Sequence, residues 1–454
     1  MIPIVTPAEM AEIDAAAEEP VDVLVDRAGD AVARAARRRL GGTYGRVVNV
    51  IAGKGNNGSD GRVAGRLLAD AGVKVRVFDA ATCPEALPPA DLVIDAAYGT
   101  GFHGVWTAPR VGGTPVLAVD IPSGVDGLTG EAGDRALPAA ATVTFAALKP
   151  GLLLGDGKRL AGDVIVADIG LDVSSARSHA IERCDVAAWW RPRPADAHKW
   201  TQAVRVVAGS PGMTGAASLV SVAAMRAGSG IVWLTTPGET HPRAELIEVV
   251  GRPSPAHGWL GDVLNDIERF GALVVGPGLG TGDDISSDVQ ELVAAAPCPI
   301  VVDGDGLTAI ATAPGGAAAV LRDRQTATVL TPHDGEFARL SGGPPEADRF
   351  AAVRRLAATT DAVVVLKGPT TLVAEPSGRV LAVNAGDQRL ATAGTGDVLA
   401  GTIGSLLACG MPAPAAAAAG AWLHASAASL LPAAGLIASD VAAAIPRAIE
   451  LALS

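Results

Sequence analysis

Short apolar runs that end in loops rich in glycine and aspartate recur along the whole chain, with helix-compatible stretches between them. In the first half they are Val47–Ala52, 73–78, Leu92–Ala96, Val116–Val119 and 142–146, interleaved with stretches such as 62–71. A strand with one wet face alternates apolar and polar residues, whereas these runs are almost unbroken, the pattern of strands buried on both faces. Buried strands alternating with helices give a doubly wound, mostly parallel α/β sheet. The alternation resumes at 204–208, Ile231–Thr235, Ala272–Val275, Ile300–Val302, Thr328–Leu330 and Val363–Leu366. Between the halves, Arg191-Pro192-Arg193-Pro194-Ala195-Asp196 breaks the pattern with two prolines, so the boundary is expected there, giving domains at residues 1–192 and 196–454. A length of 454 residues suits two such domains.

Composition narrows the function classes. Hydrophobic residues are 49% and charged residues 19%, which describes packed domains, and a net charge of −12 repels nucleic acid and anionic membranes. Cys83, Cys184, Cys298 and Cys409 are scattered, which fits neither a disulfide framework nor a paired-cysteine zinc site, so a reducing cytoplasm is expected. The N-terminus lacks a basic segment followed by an apolar run, so no secretion signal is read there. Residues 398–439 contain no Asp, Glu, Lys or Arg, yet Pro412, Pro414 and Pro432 break them, so buried helices are expected rather than a membrane span.

In an open parallel sheet, ligands bind beyond the carboxyl ends of the strands. Three loops of the first half qualify. Gly53-Lys54-Gly55-Asn56-Asn57-Gly58-Ser59-Asp60-Gly61 contains a formal dinucleotide-type glycine pattern, but Asn56, Asn57 and Asp60 are more polar than a pyrophosphate turn needs. Asp95-Ala96-Ala97-Tyr98-Gly99-Thr100-Gly101-Phe102-His103-Gly104 and Asp120-Ile121-Pro122-Ser123-Gly124-Val125-Asp126 each begin with an aspartate at a strand end. A single aspartate there often caps a turn. Together, Asn57, Asp95, Asp120 and Ser123 form an oxygen-rich set able to hold a hard cation.

These three loops, in this order, resemble the epimerase domain of bifunctional NAD(P)H-hydrate repair enzymes, a Rossmann-like doubly wound fold. The resemblance implies that Asn56, Asn57, Gly58, Ser59, Asp60, Gly99, Thr100, Gly101, Phe102, His103, Gly104, Val105 and Asp120 bind hydrated NADH or NADPH. It also implies potassium at Asn57, Asp95 and Ser123. Ser59 departs from the family, which usually has a second glycine there.

In the second half, Ala391-Thr392-Ala393-Gly394-Thr395-Gly396-Asp397 precedes an apolar helical run. Its glycines allow close backbone approach, the helix N-terminus favours an anion, and Asp397 is a candidate base beside it, or otherwise only a helix cap. Gly276-Pro277-Gly278-Leu279-Gly280, Val302-Asp303-Gly304-Asp305-Gly306, Thr331-Pro332-His333-Asp334-Gly335-Glu336 and Lys367-Gly368-Pro369-Thr370-Thr371 each follow a strand. With no second histidine near it, His333 reads as a hydrogen-bonding group rather than a metal ligand. Lys367 can meet a phosphate as a point charge.

This set resembles the ribokinase-like dehydratase domain of the same repair enzymes. The resemblance implies Asp397 as catalytic base, Ala216, Gly278, His333 and Asp397 at the substrate, and Lys367, Gly368, Pro369, Thr370, Thr371 and Gly396 at the nucleotide. It further implies magnesium with ADP as co-substrate, and epimerisation of the R and S hydrates at C6 followed by dehydration of the S form. Met213, Gly304, Gly306, Thr308 and the segment Asp387-Gln388-Arg389-Leu390 depart from the family pattern. Small-molecule substrates are the expected partners, with no nucleic acid or membrane, and a homo-oligomer is the open question of assembly. A kinase of a vitamin-precursor alcohol, carrying a non-catalytic nucleotide-binding module at its N-terminus, is the alternative.

Overall fold

The first set of strands is β1 (Ile2–Ile4), β2 (Val47–Ala52), β3 (Lys74–Asp79), β4 (Leu92–Ala96), β5 (Val116–Val119), β6 (Ala141–Phe145) and β7 (Asp163–Ala167). In this computed structural model, which describes every residue except His103, Val105, Asp134 and Arg243, β2 to β7 form one parallel sheet in the order β3-β2-β4-β5-β6-β7. Val48, Val50, Ile94, Leu117 and Val143 pack with the helices Val21–Leu40 and Asn56–Asp70, while Ile51, Val93 and Val116 pack with loop residues on the other face. Each such aliphatic side chain contributes about 1.5–3 kcal/mol when fully buried. The run at 73–78 is not a buried strand: β3 is the sheet edge and Val77 is 51% exposed. The opposite edge, β7, was not expected, because a half-buried strand opening on Asp163 lacks the unbroken apolar signal.

The strand order reverses between β2 and β4, and at such a reversal the two neighbouring loops part and leave a crevice. The loop after β2 is drawn tight against the sheet. A Cβ on Gly58 would overlap the carbonyl oxygen of Gly53, and one on Gly53 would overlap that of Ala97.

Chain contacts divide the molecule into Ile2–His179 and Ala180–Ser454, with Met1 counted in the latter. The short strand β8 (Ser178–Ala180) spans that division. The helix Arg183–Trp189, ahead of the proline-rich segment 191–196, packs Val186 into the core of the second unit.

The second unit contains β9 (Ala203–Val207), β10 (Ile231–Thr235), β11 (Val250–Arg252), β12 (Ala272–Val275), β13 (Ile300–Val302), β14 (Thr328–Leu330), β15 (Val363–Leu366), β16 (Thr371–Ala374) and β17 (Val380–Val383). They run in the order β17-β16-β15-β14-β13-β12-β9-β10-β11, parallel except at β15-β16-β17. Here the order reverses between β9 and β12. One face carries the helices Thr214–Arg226, Thr395–Ala408, Ala413–Ser429 and Ala438–Leu453 against Val204, Val206, Val232, Leu234 and Val274. Residues 398–439 thus supply two helices buried nearly all round, as their lack of charge and their small side chains require. No helix among the described residues is long and apolar enough to cross a membrane.

Candidate active sites

A cavity of about 650 Å³ opens at the β2/β4 reversal of the first unit. Of the residues expected there, Asn56, Asn57, Asp60, Gly99, Thr100, Gly101, Phe102 and Asp120 line it, while Gly58 and Ser59 do not. The Ser59 hydroxyl instead reaches back toward the Gly55 carbonyl at 3.4 Å, on its own helix start. Gly104 is not a lining residue, and His103 and Val105 lie outside the described residues.

Asp120 follows β5 with φ 67°, in the left-handed region rarely used by non-glycine residues. That turn aims its carboxylate at four donors. One oxygen accepts from the Thr100 N–H and hydroxyl, both at 2.9 Å. The other takes the Lys149 ammonium at 2.9 Å and the Thr144 hydroxyl at 3.2 Å. Burial opposes ionisation of Asp120, but the Lys149 charge and the Thr100 donors outweigh it and hold the carboxyl below its ordinary value. Lys149 is almost fully enclosed and also donates to the Thr144 hydroxyl and the Phe145 and Ala147 carbonyls.

Behind the cavity, Asp95 is fully buried, and its carboxylate accepts from the Ser123 hydroxyl at 2.7 Å and the Ser123 N–H at 3.0 Å. Burial pushes its carboxyl up. Both polar atoms of the Asn57 side chain are buried with no hydrogen-bond partner among the described residues. The Asn57 amide lies against Gly99, where an added Cβ would lie 3.4 Å from Asn57 Cγ and 2.9 Å from Asp120 Oδ2. A buried amide oxygen without a partner is of the kind that serves a hard cation with oxygen ligands.

Asp60 differs from its neighbours. Its carboxyl lines the cavity, it is 6% exposed, and it takes no hydrogen bond among the described residues. Burial, followed by the charge of Asp120, pushes its pKa up to about 8.

In the second unit the loops after β9, β12, β13, β14 and β15 meet at one end of the sheet. Gly394, at φ 88°, starts the helix Thr395–Ala408 and sets Asp397 in its first turn. A Cβ on Gly396 would lie 3.5 Å from the Lys367 ammonium and 3.9 Å from the Asp303 carboxylate, so the helix start sits directly over that pair. Lys367 donates to Asp303 at 3.0 Å and approaches Glu336 at 3.5 Å. Burial works against its charge, but those two carboxylates raise its pKa. Asp303 also accepts from the Thr331 hydroxyl at 2.7 Å. The Asp397 carboxyl has no hydrogen-bond partner among the described residues. Burial, then the Asp303 charge, push its pKa up to about 7 against the pull of Lys367.

The other expected residues are placed as follows. Ala216 and Gly278 are adjacent, since a Cβ on Gly278 would lie 3.1 Å from that of Ala216. His333 caps the helix Asp334–Ser341, its Nδ1 accepting from Gly335 and Glu336 N–H groups, while its Nε2 lies 3.5 Å from the Glu336 carboxylate. Gly368 and Pro369 are exposed, Thr370 is buried and donates to Asn384 at 3.1 Å, and Thr371 opens β16.

Residues 204–449 match the family model for NAD(P)H-hydrate dehydratase, and residues 21–87 and 79–151 match that for the YjeF-related protein N-terminus. The bifunctional NAD(P)H-hydrate repair enzyme Nnr of Mycobacterium leprae is 38% identical over 92% of this chain and 92% of its own length. The chain belongs to the bifunctional NAD(P)H-hydrate repair enzymes. The repair enzyme of Moorella thermoacetica is 36% identical over 93% of this chain and 91% of its own. Among solved structures, the ADP/ATP-dependent NAD(P)H-hydrate dehydratase of Bacillus subtilis, co-crystallised with ATP and Mg2+, is 29% identical and covers 60% of this chain and 97% of its own, with a TM-score of 0.51. A ribokinase-like protein of Enterococcus faecalis, 22% identical over 61% of this chain and 96% of its own, has the same fold at a TM-score of 0.53. Both side-chain constellations of this repair enzyme fall inside the matched segments. Sequence reasoning passed over Lys149 and Asp14, both of which line the first cavity, and it quoted Asp303 and Glu336 in the second unit without giving them a role. Only the position of Lys149 just past β6 hinted at its place.

Proposed function

We propose that the chain repairs hydrated NADH and NADPH, with residues 1–192 interconverting the R and S forms at C6 and residues 196–454 dehydrating the S form at the expense of ADP, giving AMP and phosphate. The observation that carries the second step is the unpartnered Asp397 carboxyl, tuned to about 7 and set at a helix N-terminus over Lys367. A carboxylate of that pKa is ionised enough at neutral pH to take a hydroxyl proton and basic enough to hold it. As Asp397 removes the C6 hydroxyl proton, the oxygen attacks the terminal phosphoryl group of ADP. The Gly394 and Gly396 N–H groups at this helix start would stabilise the charge that develops on that group, the Thr395 N–H being donated to the Thr392 carbonyl at 3.3 Å. AMP leaves as the new oxygen–phosphorus bond forms. Hydroxide is a poor leaving group, whereas phosphate departs from C6 as the ring nitrogen supplies electrons, and loss of a proton from C5 of the resulting iminium restores the C5–C6 double bond. Lys367, Gly368, Pro369, Thr370, Thr371 and Gly396 hold the nucleotide, with Ala216, Gly278 and His333 at the nicotinamide substrate. Among the described residues Asp303, Asp305 and Glu336 do not converge into a three-carboxylate metal site, and Asp303 and Glu336 both face Lys367. Magnesium would therefore enter with the nucleotide and neutralise its phosphates, held by them and at most one or two of these carboxylates.

In the first unit, Asn56, Asn57, Gly58, Ser59, Asp60, the loop from Gly99 to Val105, and Asp120 form the substrate site, and Asn57, Asp95 and Ser123 hold potassium. The orphaned Asn57 amide supports that assignment. Potassium there would balance the buried Asp95 charge and steady the start of the helix carrying Asn57.

The test is an incubation of an R/S mixture of hydrated NADH with ADP, magnesium and potassium, followed by the reduced-nicotinamide absorbance. Recovery of both epimers is expected. Recovery of the S form alone would remove the epimerase, and accumulation of a stable phosphorylated product would replace the dehydratase with a kinase.

A further inference from the structure

Five ionisable side chains line the first cavity besides Asp60: Asp14 from the helix Pro7–Ala15, Lys54 from the loop after β2, Tyr98 from the loop after β4, Asp120 after β5, and Lys149 after β6. The Lys149 ammonium has three protons and four acceptors: the Asp120 carboxylate, the Thr144 hydroxyl, and the Phe145 and Ala147 carbonyls. None of its protons is left for a ligand. The Asp120 carboxylate is saturated in the opposite sense, since four donors fill its four lone-pair positions. This pair is a fixed charge arrangement, not a proton carrier. Asp60 alone combines deep burial, a place on the cavity wall and a carboxyl free of described partners.

We infer that Asp60 is the acid–base catalyst of epimerisation, acting as a neutral carboxylic acid on both heteroatoms of the carbinolamine at C6. This inference rests on the epimerase reading above. In the hydrated ring, C6 carries both the hydroxyl and the ring nitrogen N1. The two atoms stand in a 1,3 relation, as do the two oxygens of a carboxyl group, so one carboxyl can address both. Its carbonyl oxygen takes the C6 hydroxyl proton while its O–H gives a proton to N1. The C6–N1 bond breaks with its electron pair passing to nitrogen, and C6 becomes an aldehyde carbon. The carboxyl emerges neutral, with its oxygens exchanged in role. Rotation about C5–C6 presents the other carbonyl face, and the reverse transfer closes the ring with inverted configuration. Nothing is oxidised or reduced and every proton is returned.

The environment keeps Asp60 in the form this needs. The saturated Asp120 carboxylate disfavours a second negative charge nearby, and burial acts in the same direction. The helix Val21–Leu40 meets the cavity only through apolar residues such as Leu24 and Val25, and its Asp26 pairs with Arg66 on the surface. Arg62, on the same helix as Asp60, is tied to the Gly53 carbonyl at 2.7 Å. No described cation pairs with the Asp60 carboxyl.

The experiment uses the full chain, with R-form conversion measured under excess dehydratase activity and S-form dehydration as the internal control. Asp60→Asn should lower kcat for R-form conversion by about 100-fold or more, the usual worth of an acid–base group, with KM within about threefold. The rate of S-form dehydration should be unchanged. In the wild-type protein, kcat/KM for R-form conversion should be level below neutrality and fall tenfold per pH unit above about 8. A flat wild-type profile between pH 7 and 9.5 would overturn the assignment whatever the variant does, as would an Asp60→Asn variant retaining R-form conversion within about threefold. If the wild-type protein converts no R form at all, the epimerase reading fails instead.

Discussion

Replacing Lys367 with methionine separates two roles that the geometry allows that residue, phosphate contact and electrostatic control of Asp397. The ammonium lies under the helix start that carries Asp397, between Asp303 and Glu336. Removing it deletes the charge that lowers the Asp397 pKa and leaves the two carboxylates uncompensated, so ionisation of Asp397 becomes harder. A nearby opposite charge is worth about 1–3 pKa units. With a starting value of about 7, half of the wild-type protein is in the working form at pH 7. Moving that value up by about one unit leaves roughly one molecule in eleven ionised, a loss of about fivefold, and about two units leaves roughly one in a hundred. The signature is recovery with pH: kcat/KM for S-form dehydration should climb to a plateau one or more units above the wild-type limb. The assay is the reduced-nicotinamide absorbance between pH 6 and 10 at saturating ADP. A limb unmoved from about 7, with only the KM for ADP raised, would show that Lys367 serves the nucleotide alone. Breaking a buried pair also costs about 3–5 kcal/mol, so thermal unfolding of the variant must be followed over the same range.

Asp397→Asn should reduce S-form dehydration by at least about 100-fold while R/S interconversion, followed by chromatography, continues. Lys149→Met should destabilise the first unit by about 3–5 kcal/mol near neutrality, because it strands the buried Asp120 carboxylate. Since Asp120 is held below its ordinary value when folded, that stabilisation is fully present above the unfolded value of about 3.9 and is lost as pH falls through the lower folded value, so the gap between variant and wild type should close in acid. Asp95→Asn should abolish any rate increase on adding potassium to sodium-buffered protein, read as R-form conversion. Gly58→Ala must displace the Gly53 carbonyl and should cost about 1–3 kcal/mol in chemical unfolding.

The parts legible in the sequence were those whose chemistry is local. A glycine-rich loop after an apolar run reports its own position, so the crevice loops and the turn bearing Asp397 could be placed from residues alone. What escaped depends on contacts distant in sequence. Lys149 reads as a turn lysine in Leu-Lys-Pro-Gly, and only the fold brings it to Asp120. Lys367 reads as an outward-facing phosphate ligand until Asp303 and Glu336 close on it. The edge strands β7 and β11 went unread because three to five residues with partial burial carry little periodic signal, and the β16–β17 hairpin because its strands, though largely buried, are only four residues long.

The unpartnered carboxyl of Asp60 has a consequence for throughput. In the proposed roles Asp60 works protonated and Asp397 ionised, so the two activities of one polypeptide should respond to alkalinity in opposite senses. In mildly acid conditions interconversion keeps pace and dehydration is the bottleneck, leaving both hydrates at their equilibrium ratio. In alkaline conditions dehydration drains the S hydrate faster than it is replenished, and the residue becomes enriched in the R form. The ratio of unrepaired hydrates would then record the pH at which the enzyme had been operating.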